Sequence, residues 1–168
     1  MIKLLGILFI LLSAYTSGHV LCGAERLKLA QFSEIACLMR RVQSEIALCR
    51  KPTEKIFAEI PSYTPLLQSY GFYEILCPKD TPFRLRGEEA LSEVRSRFLM
   101  GGEAFSLFSD FILAVGKSDC GYQLRELEHL TAEFERAAAD AKENADRNMR
   151  LKKITPYFFG AILAIILI

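Results

Sequence analysis

The residues whose types come closest to a chemical motif are Gly116-Lys117-Ser118, which match the end of a phosphate-binding loop. That loop also requires a glycine five residues before its last glycine, and Phe111 stands there instead. The apolar pattern that leads into Gly116 is helical, whereas the motif follows a β-strand. The sequence therefore predicts that this stretch does not bind a nucleotide.

Carboxylates and thiols are the other groups that could do chemistry. The acidic residues between positions 126 and 135 alternate with Arg125 and Arg136, which is typical of a solvated helix face. The five cysteines lack CxxC spacing, and two histidines offer little material for a zinc site. An odd number of cysteines favours free thiols in a reducing compartment. We predict no enzyme, no cofactor, no metal and no small-molecule substrate; Cys120 is the only enzyme candidate that remains.

Charge is balanced in the middle of the chain. Lys3 is the only basic residue outside residues 25–153, so that region holds 20 basic and 20 acidic residues. Nucleic-acid binding depends on clustered basic charge. The composition therefore predicts no nucleic-acid partner.

Apolar periodicity predicts an all-α fold, an antiparallel bundle of five or six helices in residues 23–153. Helices are expected over residues 25–50, 53–60, 87–99 and 103–115. Another core segment is expected to start within residues 61–65, and a loop is expected over residues 77–86. A long helix is expected from about residue 119 to 151, because no proline interrupts that stretch.

The long helix begins at a recognisable boundary. Gly116 suits the end of one helix, and Ser118 or Asp119 can accept hydrogen bonds from the first amides of the next. Capping alone explains these residue types, and direct contact with a partner is the alternative.

A heptad seam runs along the same helix. Its large apolar members are Leu127, Leu130 and Phe134, and its polar members are Asn144 and Asn148. The asparagines indicate either an exposed helix end or a polar seam that fixes the register of a partner helix.

Both ends of the chain are apolar. Residues 4–22 form an uncharged run long enough to span a bilayer, and residues 154–168 form a shorter one. Basic residues flank the intervening region on both sides, which predicts that residues 23–153 face the cytoplasm. The alternative for the first run is a secretory signal peptide cleaved near Cys22-Gly23-Ala24, which would leave an exported, membrane-tethered helical protein.

Beside these features, Gly116-Lys117-Ser118-Asp119 followed by Gln123 resembles the Gly-x-Ser-Asp-x-x-x-Gln signature of the stage III sporulation protein AB family of endospore-forming bacteria. The opening Lys3-Leu4-Leu5-Gly6, the segment from Glu45 through Pro52 and the Gly160-containing apolar tail are similar to that family as well. If the signature is structural, Gln123 bonds across the bend between the two helices.

The resemblance implies a helical cytoplasmic domain like that of type II secretion inner-membrane platform proteins. It further implies a non-enzymatic platform subunit of the sporulation channel, in the mother-cell membrane facing the forespore. Its implied partners are the stage III sporulation AA-type ATPase, other membrane subunits of the channel complex and the lipid bilayer. Its implied role is in forespore development after engulfment.

Overall fold

The computed structural model describes residues 13, 16, 17, 20, 22–49, 53–77, 81–115 and 120–167. Within these ranges the secondary structure is helical and no β-strand occurs, so the predicted all-α class is confirmed. The helices are α1 (Gly23–Cys49), α2 (Thr53–Glu59), α3 (Pro65–Ser69), α4 (Phe72–Leu76), α5 (Phe83–Val94), α6 (Gly102–Ala114) and α7 (Cys120–Leu167). Two 3-10 turns, Ile60–Tyr63 and Arg95–Arg97, follow α2 and α5.

The chain divides into two compact units. The core unit comprises Ala30–Ala139, and the terminal unit comprises Met1–Leu29 together with Asp140–Ile168. Helices α1 and α7 each contribute residues to both units.

An aromatic cluster forms the centre of the core unit. Phe108 of α6 is fully buried, and its ring centroid lies 5.8 Å from that of Phe72, 6.1 Å from that of Phe98 and 6.3 Å from that of Phe105. Tilted and edge-on ring pairs at these distances gain attraction beyond the burial of apolar area. These contacts join α4, α6 and the segment that precedes α6.

Helix α1 buries the face that its sequence pattern predicts. Phe32, Ile35, Met39 and Val42 are buried, and they recur at spacings of three and four. The ring of Phe32 lies 5.5 Å from that of Phe134 in α7, so the two helices pack together within the core unit.

Helix α5 begins earlier than its sequence predicts. The expected start is Gly87 after a loop, whereas the observed helix starts at Phe83, directly after Pro82. The added turn buries the side chain of Arg86, whose Nη1 donates to the carbonyl oxygen of Leu76 at 2.7 Å. A hydrogen bond to a chain segment ten residues away holds this turn, and local periodicity does not report such a bond.

Two glycines have a specific backbone role in the core unit. Gly71 adopts φ +76°, a left-handed conformation that lets the chain turn between α3 and α4. At Gly87 an added Cβ would lie 3.2 Å from Cγ2 of Ile112, so the missing side chain permits close packing of α5 on α6.

Helix α7 is longer than predicted, because it continues through the basic residues and the apolar tail as far as Leu167. In the terminal unit, Nζ of Lys152 donates to Oε1 of Glu25 at 2.8 Å. Leu151, Ile154 and Phe158 each expose half or more of their surface.

None of the helices in the described ranges is both long enough and apolar enough to cross a membrane. Most of the predicted first span, residues 4–22, lies outside the described residues. The predicted second span, residues 154–168, coincides with the end of α7, and residue 168 lies outside the description. The flanking transmembrane helices are therefore without support from the described helices.

Candidate interaction surface

A buried glutamine on α1 holds an exposed loop in place. Gln31 exposes 1% of its surface, and its Nε2 donates to the hydroxyl of Tyr70 and to the carbonyl oxygen of Arg97, each at 2.9 Å. Its Oε1 accepts the backbone N–H of Leu99, also at 2.9 Å. Buried polar groups are costly unless they are paired, so this amide fixes the backbone around residue 98.

We call residues 95–99 the arginine loop. Phe98 anchors it, because that ring is buried and meets the ring of Tyr70 edge-on at 5.6 Å. The guanidinium of Arg95 lies over the ring of Phe105 at 4.2 Å from its centroid, which is cation–π geometry. The loop is therefore held at its backbone, at Phe98 and at Arg95.

The outer side of the arginine loop combines positive charge with an apolar side chain. Arg95 and Arg97 are exposed, and Leu99 exposes 46% of its surface. Neither arginine forms an ion pair with any residue in the described ranges. Guanidinium groups bind carboxylates in a fixed, forked geometry, so this loop is suited to an acidic protein surface.

A second side chain of α1 fixes the neighbouring helix α3. Both carboxylate oxygens of Glu34 accept the N–H of Leu66 at 2.9 Å, and Oε2 also accepts the N–H of Leu67 at 3.2 Å. A carboxylate at a helix N-terminus satisfies amides that have no partner within the helix. Glu34 thereby holds α3, the helix that directly precedes Tyr70.

A buried hydroxyl pair joins the residue that precedes α3 to helix α4. The hydroxyls of Thr64 and Tyr73 lie 2.6 Å apart, and that of Thr64 also donates to the carbonyl oxygen of Ile60 at 3.3 Å. Burial raises the pKa of Tyr73, because the charged phenolate would lose its hydration. The pair thus links α4 to the turn after α2 and carries no charge at neutral pH.

The thiols with described side chains occupy three environments. Burial raises the pKa of Cys77, which makes its nucleophilic thiolate less available. Cys37 is exposed, and Cys22 is buried, with its thiol 3.8 Å from the carbonyl oxygen of Met149. Among the described residues there is no group of His, Cys, Asp and Glu that could hold a metal ion. The side chain of Cys120 lies outside the description.

The structure describes one of the four residues of the predicted signature. Gly116, Ser118 and Asp119 lie outside the described residues, so their capping role stays a prediction. Gln123, the fourth residue of α7, is buried.

The structure separates the residues of the predicted seam by exposure. Leu127 and Phe134 are buried, and Leu130 is half-buried. Asn144 and Asn148 are exposed, so their pairing with a partner helix stays a prediction.

The sequence pattern alone does not single out the two polar residues of α1 that hold these segments. Gln31 lies four, seven and eleven residues before Ile35, Leu38 and Val42, on the face that is buried. A single polar residue in phase with an apolar face was the available signal. By sequence spacing Glu34 lies largely opposite the apolar face of α1, whereas in the structure its carboxylate reaches α3.

The chain matches the model of a known protein family. The family model described as stage III sporulation protein AB matches residues 3–168, which is nearly the whole chain. No curated protein and no solved structure matches the chain.

Proposed function

This chain belongs to the stage III sporulation protein AB family, and we propose that it is a non-enzymatic membrane platform subunit of the sporulation channel. In this role it links a cytoplasmic secretion-type ATPase to the membrane components of the channel. It is then required for forespore development after engulfment.

The observation that carries the docking part of this proposal is the arginine loop. A platform must present a surface of fixed shape, because ordering a flexible loop on binding lowers affinity. Gln31 forms three hydrogen bonds, with Tyr70, Arg97 and Leu99, and these bonds fix the loop in the absence of a partner. The proposed occupant is an acidic patch on the ATPase.

Membrane attachment draws support from the terminal unit. Leu151, Ile154 and Phe158 lie three and four residues apart, so they share one face of α7, and that face is exposed. Lys152 lies between Leu151 and Ile154 in the sequence. A basic residue beside an apolar helix end suits the boundary between lipid and cytoplasm. The uncharged run of residues 4–22 provides the second proposed anchor.

The docking proposal is tested by purifying the tagged full chain from sporulating cells and measuring the ATPase that comes with it. We expect Arg97→Glu to reduce capture by about tenfold or more, because the reversed charge would repel an acidic patch. A tenfold reduction corresponds to a loss of about 1.4 kcal/mol in binding free energy. The matched control is Arg84→Glu, the same charge reversal at an exposed position of α5.

The control should capture as much ATPase as the wild-type chain, with both variants equally helical and equally abundant. Full capture by Arg97→Glu would remove the arginine loop from the proposal. Loss of capture by both variants would point to a general charge effect instead.

The role in sporulation is tested by deleting the gene and following engulfment and spore counts. We expect a block after engulfment, with forespores that fail to mature. Complementation with the wild-type chain should restore spores, and complementation with Arg97→Glu should not. Normal spore yield in the deletion strain would refute the platform role.

The alternative, an exported protein with a cleaved signal peptide, makes a different prediction for the mature N-terminus. Cys22 is buried against Met149 in the terminal unit, and this contact favours retention of the N-terminal segment. The intact mass of the purified protein separates the two, because a chain that begins near Glu25 would contradict the double anchor.

A further inference from the structure

A second surface, on the part of α7 that belongs to the terminal unit, goes beyond the proposed docking of an ATPase. Asn144, Asn148, Leu151 and Thr155 recur at spacings of four, three and four residues, and all four are exposed. These spacings are those of positions d, a, d and a in a heptad repeat. We call the four residues the exposed seam, which extends over about 18 Å of helix.

The exposed seam is not the side on which α7 packs within the terminal unit. Ala145 is buried, and the thiol of Cys22 lies 3.8 Å from the carbonyl oxygen of Met149. Nζ of Lys152 donates to Oε1 of Glu25 at 2.8 Å. Each of these three residues of α7 directly follows a seam residue, so it lies about 100° further around the helix. The contact with α1 therefore leaves the exposed seam open.

The residue types along the exposed seam are typical of a parallel pair of helices. Leu151 occupies a d position and the β-branched Thr155 the next a position, a combination that favours two parallel strands. The hydroxyl of Thr155 donates to the carbonyl oxygen of Leu151 at 2.8 Å, so its polar group is satisfied within the helix. Asn148 occupies the other a position, where an asparagine specifies the register of a pair.

The asparagine favours a second copy of the chain as the partner. In a parallel pair that is in register, each Asn148 meets Asn148 of the other copy. An amide side chain both donates and accepts, so the two side chains can satisfy each other. Hydrocarbon offers no hydrogen-bond partner, and an ionised carboxylate only accepts. Neither a lipid tail nor an acidic surface therefore matches this position as well.

The basic residues beside the exposed seam are paired within their own copy. Nη2 of Arg147 lies 3.7 Å from Oε1 of Glu143, and Lys152 is paired with Glu25. A nearby carboxylate offsets the positive charge of each residue. The repulsion between the basic residues of two approaching copies is thereby reduced.

We propose that two copies of this chain associate in parallel through the exposed seam, with each Asn148 against Asn148 of the other copy. The inference rests on the proposed membrane attachment, because a parallel pair directs residues 154–167 of both copies into the same bilayer. The pair has two-fold symmetry, with its axis along the two helices. A short seam suffices here, because chains anchored in one bilayer meet at a raised effective concentration.

The test measures energy transfer between full chains that carry donor and acceptor fluorescent tags, reconstituted in lipid vesicles over a range of protein-to-lipid ratios. We expect the wild-type chain to pair. Asn148→Asp alone and Asn148→Lys alone should each raise the apparent dissociation constant by about tenfold or more, because two like charges then face each other. A mixture of the two variants should pair again, because opposite charges meet at the same point.

The matched control uses Gln68, an exposed amide side chain of α3 in the core unit. Gln68→Asp and Gln68→Lys make the same changes of charge outside the exposed seam. Both should pair like the wild-type chain, alone and in a mixture. Circular dichroism should show equal helix content in all variants, and flotation with the vesicles should show equal membrane attachment.

Three outcomes would overturn the proposal. These are a wild-type chain that is monomeric at every ratio, a pair that both Asn148 variants leave unchanged, and a mixture that fails to recover. Failure of the mixture would show that Asn148 does not meet its own copy, as in an antiparallel or shifted pair. If the chain is monomeric and Asn148→Asp still lowers spore yield, the exposed seam binds another protein.

Flotation separates this inference from the proposed function. A chain that floats with the vesicles but does not pair refutes the parallel pair and leaves the membrane attachment intact. A chain that does not float refutes the attachment and the parallel pair with it. The series does not involve the ATPase, so its failure is also distinct from failure of the docking proposal.

Discussion

The core unit and the terminal unit differ in the exposure of their apolar side chains. In the core unit, Phe72, Phe108 and Phe134 are fully enclosed. In the terminal unit, Ile154 and Phe158 expose 51% and 66% of their surface on one face of α7. Apolar area gains free energy only when it leaves water. The aromatic residues of the core unit therefore stabilise its fold, whereas the exposed face of the terminal unit is available to another apolar environment.

Polar groups show the same contrast. In the core unit, the side chains of Gln31 and Glu34 turn inward and bond to backbone groups of other segments. In the terminal unit, Glu25 and Lys152 form a partly exposed ion pair. Hydrogen bonds to buried backbone groups are expensive to lose, whereas exposed ion pairs contribute little. Stability should therefore depend strongly on changes in the core unit and weakly on changes in the terminal unit.

The largest expected effect is that of Phe108→Ala. The change leaves a cavity among three neighbouring rings, and truncation of a buried phenylalanine costs about 3–5 kcal/mol in the free energy of unfolding. Urea unfolding of the full chain in mild detergent measures it. The control is Phe158→Ala in the terminal unit, which should change that free energy by less than about 0.5 kcal/mol. Equal losses in the two variants would erase the contrast between the units.

Gln31→Leu should have the next largest effect. It removes three hydrogen bonds and leaves the N–H of Leu99 and the carbonyl of Arg97 without this partner, a loss of about 1–3 kcal/mol. The same unfolding measurement applies, and hydrogen exchange of the Leu99 amide should become faster. Gln68→Leu, at an exposed position of α3, serves as the control and should leave both quantities unchanged. A stable variant with a protected Leu99 amide would show that Gln31 does not hold the loop.

Glu34→Gln tests the carboxylate at the start of α3. The neutral amide keeps one acceptor for Leu66 and loses the charge, so we expect a loss of about 1 kcal/mol. Glu74→Gln, at an exposed position of α4, provides the matched control. If thermal unfolding responds equally to both substitutions, Glu34 is an ordinary surface carboxylate.

The smallest expected effect is that of low pH on the ion pair of the terminal unit. The hydrogen bond from Lys152 lowers the pKa of Glu25, so the folded state releases this proton more readily than the unfolded state. The contribution of the pair is complete above the pKa of an unfolded glutamate, about 4.3, and it disappears as the pH falls through the lower folded value. Hydrogen exchange in residues 140–152 should increase over that range. In Glu25→Gln the exchange should already be fast and should not respond to this titration.

Local sequence was sufficient to place a helix where one face carries a continuous apolar pattern. The predicted bounds of α1 and α6 agree with the structure within two residues, because the apolar periodicity of each is continuous. Helix α5 begins four residues before its predicted start and ends five residues before its predicted end. Its first turn alternates apolar and basic residues, and it is held by the bond from Arg86 to Leu76, which is a tertiary contact.

The sequence alone therefore determined the helical class, the bounds of α1, α2 and α6, and the family, since each depends on residue types at fixed spacing along the chain. Only the tertiary structure decided what the polar residues of α1 do. Gln31 meets Arg97 across 66 positions, and Glu34 meets Leu66 across 32. The energy of such bonds depends on distance in space and on burial, and neither can be obtained from spacing along one helix.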